Sequence, residues 1–386
     1  MSNRHMAVIP VLLALGLWVQ TYAANAATSY RITDLGTLGG TANYSNAYAI
    51  NDLGQIVGYS TVGAVGAASS SSWRPFLWQN GTMTNLTPSD TGWGGAARAI
   101  NNAGQVVGWS DSFAGHDTRA FLWEAGNATN LGTLPSPYTL DSVATGINEQ
   151  GQVSGYSGGG GSGPRPFMWQ NGSFQELSNP AWESPVEHGY AYAINDNGVV
   201  AGKVSDLPKP RAVYWSGNAV TTLGANPVVV DPANEAFAIN NTGTIAGYWG
   251  GDAAIWSNNT LSVLGVLYAN HDFARALALN ELGQVVGYSE PGNTSHSQRA
   301  FLWSQSDGMQ DLNSLIDPND PLASVTTLRF ARGINESGWI VGEAVINGAT
   351  HGFLLTPIPE PVSYAMLLAG LGLLGMGVRR RAAALG

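Results

Sequence analysis

Ala47–Tyr59, AYAINDLGQIVGY, is the stretch on which the reading of this chain turns, because its skeleton recurs six more times. Asn, two free positions and Gly are followed four residues later by a second Gly. The Asn falls at Asn51, Asn101, Asn148, Asn195, Asn240, Asn280 and Asn335. Three residues on stand Gly54, Gly104, Gly151, Gly198, Gly243, Gly283 and Gly338, and then Gly58, Gly108, Gly155, Gly202, Gly247, Gly287 and Gly342. A period of roughly 40–55 residues with three fixed positions points to an array or a propeller.

Working outward from one copy, four short β segments can be read. Ala47-Tyr48-Ala49-Ile50 is the first and Gln55-Ile56-Val57-Gly58 the second, with Asn-x-x-Gly between them fitting a type I turn closed by a left-handed Gly. The third is Arg74-Pro75-Phe76-Leu77-Trp78, echoed at 119–123, 165–169, 211–215 and 299–303, with Phe and Trp on one face of the strand. A tight turn such as Gln79-Asn80-Gly81 leads to the fourth, which ends in Leu86. Four strands joined by hairpins make one propeller blade. No 3.6-residue period appears inside a copy, so stacked helical repeats are excluded.

Seven copies predict an all-β fold: a seven-bladed β-propeller of four-stranded repeats. The last copy, Ala331 to Leu355, has no fourth strand, while Tyr30–Leu38 precedes the first copy and reads as a spare one. The expectation is that this N-terminal strand completes the seventh blade and closes the ring, removing an exposed edge. A closed ring needs no partner to cover its edges, so a monomer is expected.

Composition agrees. Only 11% of the 386 residues are charged, with 50 Gly, 13 Trp and 14 Tyr, a β-rich and turn-rich mixture. There is no Cys, so stability rests on burial rather than disulfides. The formal net charge is −10. Setting aside Arg4, Glu360 and Arg379–Arg381 leaves 25 acidic and 12 basic residues out of 26 and 16. A field of that sign repels nucleic acid and anionic lipid, so no nucleic-acid partner is expected.

The two ends carry addresses. Residues 1–26 read as a signal peptide: Arg4, an apolar run from Ala7 to Val19, then Ala24-Asn25-Ala26 as cleavage box. Residues 357–386 hold Pro359-Glu360-Pro361, an apolar Gly-rich run from Tyr364 to Val378, and Arg379, Arg380 and Arg381. Fifteen or so helical residues span only ~22 Å, a short transmembrane segment whose basic end would stay cytoplasmic. This ordered set resembles the PEP-CTERM sorting signal of Gram-negative bacteria. The resemblance implies an exosortase-type membrane processing enzyme as partner, transient inner-membrane anchoring, and delivery to the cell envelope or the extracellular space. The repeats, over residues 30–356, resemble the HAF family of extracellular repeats, named for a His-Ala-Phe run in the third strand. Here His351 stands at the first of those positions once and Arg five times, while Gly251–Trp256 has neither the basic residue nor Phe. The resemblance brings no catalytic residues with it.

Strand order places the Asn-x-x-Gly and Asn-Gly turns on one face and the long, dissimilar connections on the other. Varied loops on a rigid scaffold are where binding usually lives. The candidates there are His116-Asp117 and His271-Asp272, able in principle to bind a metal or move a proton, and the loop aromatics Trp93 and Trp182. Trp73, Phe113, Tyr138, Trp249 and Tyr268 are further aromatics for sugar stacking. The bland reading of a His-Asp pair is a solvated loop, and that of the repeated Arg is a blade-to-blade hydrogen bond or a stack on a ring. The Trp series reads as core. No calcium loop, His-Glu-x-x-His or phosphate loop occurs, so no catalytic residue, metal or cofactor is expected. The leading expectation is a non-catalytic binding or structural propeller, associated with exopolysaccharide. The alternatives are a propeller-type glycosidase or lyase, and a protein-binding module.

Overall fold

The computed structural model describes residues 29–359 apart from 40–43, 63–71, 88–93, 112–116, 136–140, 160–161, 178–187, 207–208, 218, 225–232, 269–272 and 292–296. Seven four-stranded antiparallel sheets stand in a ring, a seven-bladed β-propeller. Blade one consists of Ser45–Ile50, Ile56–Thr61, Trp73–Gln79 and Thr82–Asn85, from the innermost strand outward. Blades two to six repeat this order. Their innermost strands are Gly95–Ile100, Asp141–Ile147, His188–Ile194, Asn234–Ile239 and Phe273–Leu279.

Blade seven is built from both ends of the propeller. Thr326–Ile334, Ile340–Ile346 and Ala349–Pro357 are followed outward by Tyr30–Asp34, as the missing fourth strand and the spare N-terminal one require. Leu35 N donates to Gly352 O at 3.0 Å, and His351 Nδ1 lies 2.9 Å from the Asp34 carboxylate. Burial pushes the Asp34 carboxyl up, but the His351 contact and the Gly36 amide together hold it below its ordinary value. Each innermost strand touches those of both neighbouring blades, so the ring is continuous.

The repeated glycines have separate duties. At the Asn51–Gly54 turn, Gly54 N donates to Asn51 O at 3.1 Å, and Gly54 sits at φ +74°, a backbone that favours glycine. The second Gly faces a β-bulge. Ala47 pairs with Gly58 and Ala49 with Val57, which leaves Tyr48 unpaired. A Cβ on Gly58 would run into the carbonyl oxygen of Asn46. The same shift recurs in every blade, between Ala97 and Ala99, Ala144 and Gly146, Ala191 and Ala193, Ala236 and Ala238, Ala276 and Ala278, and Ala331 and Gly333. A bulge re-aims the extra side chain, and here it does so seven times around the ring.

The core lies between blades. Val57 of blade one packs with Ala97, Ile100, Val106 and Phe121 of blade two, and Leu35 and Leu354 of blade seven pack with Ala47 and Phe76 of blade one. Phe76, Phe121, Phe167, Phe301 and Phe353 are fully buried. Blades four and five have Val213 and Ala254 in that place, and there Trp215 and Trp256 become fully buried instead, while Trp123, Trp169 and Trp303 stay half-buried. The larger ring moves into the space that Phe leaves. Between the second and third strands of blades three and four, strand pairing continues to Gly159 opposite Ser162 and to Asp206 opposite Lys209.

Candidate functional site

Two ends of the central channel can be compared residue by residue. At the turn end, each repeated Asn does more than start its turn. Asn51 Oδ1 accepts from Leu53 N and Gln55 N at 3.1 and 2.9 Å, while Asn51 Nδ2 donates to Asn101 O of the next blade at 3.0 Å. Asn101 reaches Asn148 O, Asn148 reaches Asn195 O, and so on around to Asn335, whose Nδ2 donates to Asn51 O at 3.1 Å. The ring of seven side-chain bonds is closed, and every Asn in it is buried. A second ring lies beside it. The backbone N–H after each Asn donates to the side chain one position after the next Asn, from Asp52 to Asn102, Asn102 to Glu149, and finally Glu336 to Asp52. Five of these seven side chains are carboxylates: Asp52, Glu149, Asp196, Glu281 and Glu336. Burial first, and then the charges of Asp52 and Glu281, raise the Glu336 carboxyl above its ordinary value.

Further along the channel, toward the loop end, the bulges present Tyr48, Arg98, Thr145, Tyr192, Phe237, Leu277 and Arg332 in blade order. Bulge residues of neighbouring blades meet. The Arg98 guanidinium stands 4.4 Å from the Tyr48 ring centroid, that of Arg332 stands 5.3 Å from the same ring, and Tyr192 lies 5.5 Å from Phe237. The residue after the second Gly adds the next layer, with Tyr59, Trp109, Tyr156, Lys203, Tyr248, Tyr288 and Glu343. Rings run on from there: Tyr44 to Tyr59 at 5.7 Å, Tyr59 to Trp73 at 4.4 Å, Trp73 to Trp109 at 6.3 Å, Tyr288 to Phe330 at 4.8 Å. Arg275 stands 4.9 Å from the Tyr248 ring and Lys203 4.8 Å from that of Tyr190. Burial pushes the Tyr59 and Tyr192 phenols far above their ordinary value, with the neighbouring Tyr48 and Glu235 adding to it respectively.

Glu343 of this layer and Glu235 on the innermost strand of blade five are both engaged. Glu343 accepts from Tyr44 Oη at 2.8 Å and Asn46 Nδ2 at 2.6 Å, with Arg329 at 3.8 Å. Glu235 lies 3.0 Å from Lys203 Nζ and accepts from Tyr192 Oη at 3.4 Å. The site is therefore an aromatic lining with interleaved cations. It can stack flat ligands and hold anionic groups.

Of the residues singled out in the sequence, Asp117 is described and pairs with Arg119 at 3.1 Å. Trp93, Trp182, His116, His271 and Asp272 lie outside the described residues, as do Phe113 and Tyr138. Trp73 and Trp249 belong to strands rather than loops, and Trp73 joins the channel rings. Tyr268 is exposed and donates to Asp311 Oδ2 at 2.8 Å beside an open groove of about 630 Å³ with Arg299 and Asn313. Among the repeated Arg, Arg165 meets Glu176 of its own blade at 2.7 Å. The sequence reading does not single out the bulge residues. Their signal is in the repeat itself: a variable, large side chain bracketed by two small residues, as in Ala47-Tyr48-Ala49 and Ala97-Arg98-Ala99. Among the described residues no group of three or more His, Asp and Glu could hold a metal ion, and no helix is long and apolar enough to cross a membrane. The apolar run from Tyr364 to Val378 lies outside them, with Glu360, Pro361 and Arg379–Arg381, while Pro359 is exposed.

Residues 357–381 match the PEP-CTERM protein-sorting motif. The chain carries the sorting signal of an exported protein. Residues 42–137, blades one and two, match a family described as a protein of unknown function, DUF3466. No curated protein matches the chain. Among solved structures, the extracellular domain of a hybrid two component system, BT4673, from B. thetaiotaomicron is similar over 86% of this chain and 40% of that one, at 9% identity and TM-score 0.50. A puromycin-hydrolyzing peptidase of Mycobacterium tuberculosis is similar over 82% and 57%, at 12% identity and TM-score 0.45. A mutant lectin of Aleuria aurantia in complex with Fucα1-6GlcNAc is similar over 70% and 94%, at 14% identity and TM-score 0.41. The chain thus spans about half the length of the first two, and at these identities the likeness is one of fold.

Proposed function

We propose that this exported, exosortase-processed protein is a non-catalytic binding propeller of the cell surface or matrix, and that its ligand is extracellular polysaccharide. The observation that carries this is the aromatic lining toward the loop end. Tyr44, Trp73 and Trp109 are half-buried around Tyr59, so that ring faces and edges remain available for sugar stacking. Glu235 and Glu343, held by phenols, an amide and cations, suit a positioning role better than proton transfer. A glycosidase needs two free carboxyls facing one bond, one of them kept protonated.

The test is a glycan-binding screen on the purified chain, with the same glycans assayed for cleavage. Binding without products, weakened at least tenfold by Trp73→Ala or Trp109→Ala, is the expected result. Released fragments would make the protein a polysaccharide-active enzyme. Silence in both assays would favour a protein partner on the loop face.

A further inference from the structure

Cations dominate the loop-end lining although the chain as a whole is acidic. Lys203 and Arg329 have Glu235 and Glu343 beside them. Arg98, Arg275 and Arg332 have no carboxylate partner among the described residues and rest on aromatic rings instead. Arg98 and Arg332 belong to blades two and seven, on either side of blade one, and both approach Tyr48. Their Cζ atoms are therefore no farther apart than the sum of 4.4 and 5.3 Å. The Nε of each is buried and has no acceptor among the described residues. Two guanidinium groups beside one ring, each with an unmet buried donor, make a place where an anion is favoured. A guanidinium stacked on a ring keeps its in-plane N–H edge open, which is the edge that a carboxylate takes bidentately.

We propose that Arg98 and Arg332, with Tyr48 between them, form a binding site for the carboxylate of a uronate residue in an acidic glycan. The sugar ring packs on the aromatic lining while its carboxylate is drawn to the guanidinium groups that flank Tyr48. This rests on the polysaccharide-binding reading and names the class of sugar within it. Arg275 of blade six, against Tyr248 and Phe237 of blade five, supplies a further cation for the next uronate along a chain.

The experiment measures binding of the full chain to oligogalacturonate and to its fully methyl-esterified form by calorimetry at two salt concentrations. Oligogalacturonate should bind, weaken with salt, and lose at least tenfold in affinity in Arg98→Gln and in Arg332→Gln, with partial recovery in Arg98→Lys. The methyl ester should bind at least tenfold more weakly. Thermal melting of each variant should stay within a few degrees of the parent, since neither arginine holds a hydrogen bond that the fold uses. Equal binding of both forms, or oligogalacturonate binding that survives both Gln substitutions, overturns the uronate site and leaves polysaccharide binding standing. Binding of neither form, with neutral glycans such as dextran bound, also overturns it. Binding of no glycan at all overturns both readings.

Discussion

At the turn end of the channel all seven blades use the same Asn in the same bonds, whereas toward the loop end no two blades present the same combination of residues. Blade one offers Asn46, Tyr48 and Tyr59, blade two Ala96, Arg98 and Trp109, and blade seven Phe330, Arg332 and Glu343. Both ends are built on the same strands, a few residues apart. The contrast teaches how a repeat protein divides its work: positions that must satisfy neighbours in every blade stay fixed, and positions that face only the channel are free to differ. The bulge separates them. It depends on a fixed Gly, yet it delivers a variable side chain.

The largest effect should come from breaking the fixed end. Asn335→Leu removes the bond to Asn51 O and leaves Ser337 N and Trp339 N without their acceptor. A loss of about 2–4 kcal/mol is expected from urea unfolding, with glycan affinity of the remaining folded protein unchanged. An unaltered midpoint would show that the ring is ornamental and the comparison false.

High pH provides a weaker and more distributed probe, this time of the variable end. Burial raises the phenols of Tyr59, Tyr192, Tyr156 and Tyr288 above the ordinary value of 10.0. The folded protein then keeps protons that the unfolded chain releases, so stability is level below that value and falls as pH rises above it. Tyrosinate absorbance should accordingly appear together with unfolding rather than before it. A smooth titration near pH 10 in the folded protein would mean that these rings stand in water.

The smallest effect concerns the ring of carboxylates at the turn end. Glu336→Gln keeps an oxygen for the Glu281 amide and removes a charge facing Asp52 and Glu281. Because the Glu336 carboxyl is raised, the folded state holds its proton more tightly, and its share of stability falls as pH rises toward neutrality. The variant should be more stable at pH 7 by less than about 0.5 kcal/mol, and the difference should shrink toward pH 4. A clear loss would give that carboxylate a structural role of its own.

Much of this architecture was legible beforehand. A seven-fold skeleton with hairpin turns leaves few alternatives to a propeller, and the unmatched segments at Tyr30 and Leu355 disclose the closing strand. The candidate site was less so. The sequence offers His and Trp of the varied loops, most of which lie outside the described residues, while Tyr48 and Arg98 read as strand residues. A bulge cannot be read from alternation: it shifts the period by one, and only the partner strand shows which residue is extra.

By itself the sequence determined the number of blades, the turn chemistry, the closing strand and the sorting signal, since each depends on residues near one another in the chain or on their periodic return. The tertiary structure decided which side chains of different blades meet. Asn51 finds Asn101 and Asn335, and Tyr48 finds Arg98 and Arg332, only because the ring closes. Contacts around a closed ring join residues dozens to hundreds of positions apart, and no local pattern records them.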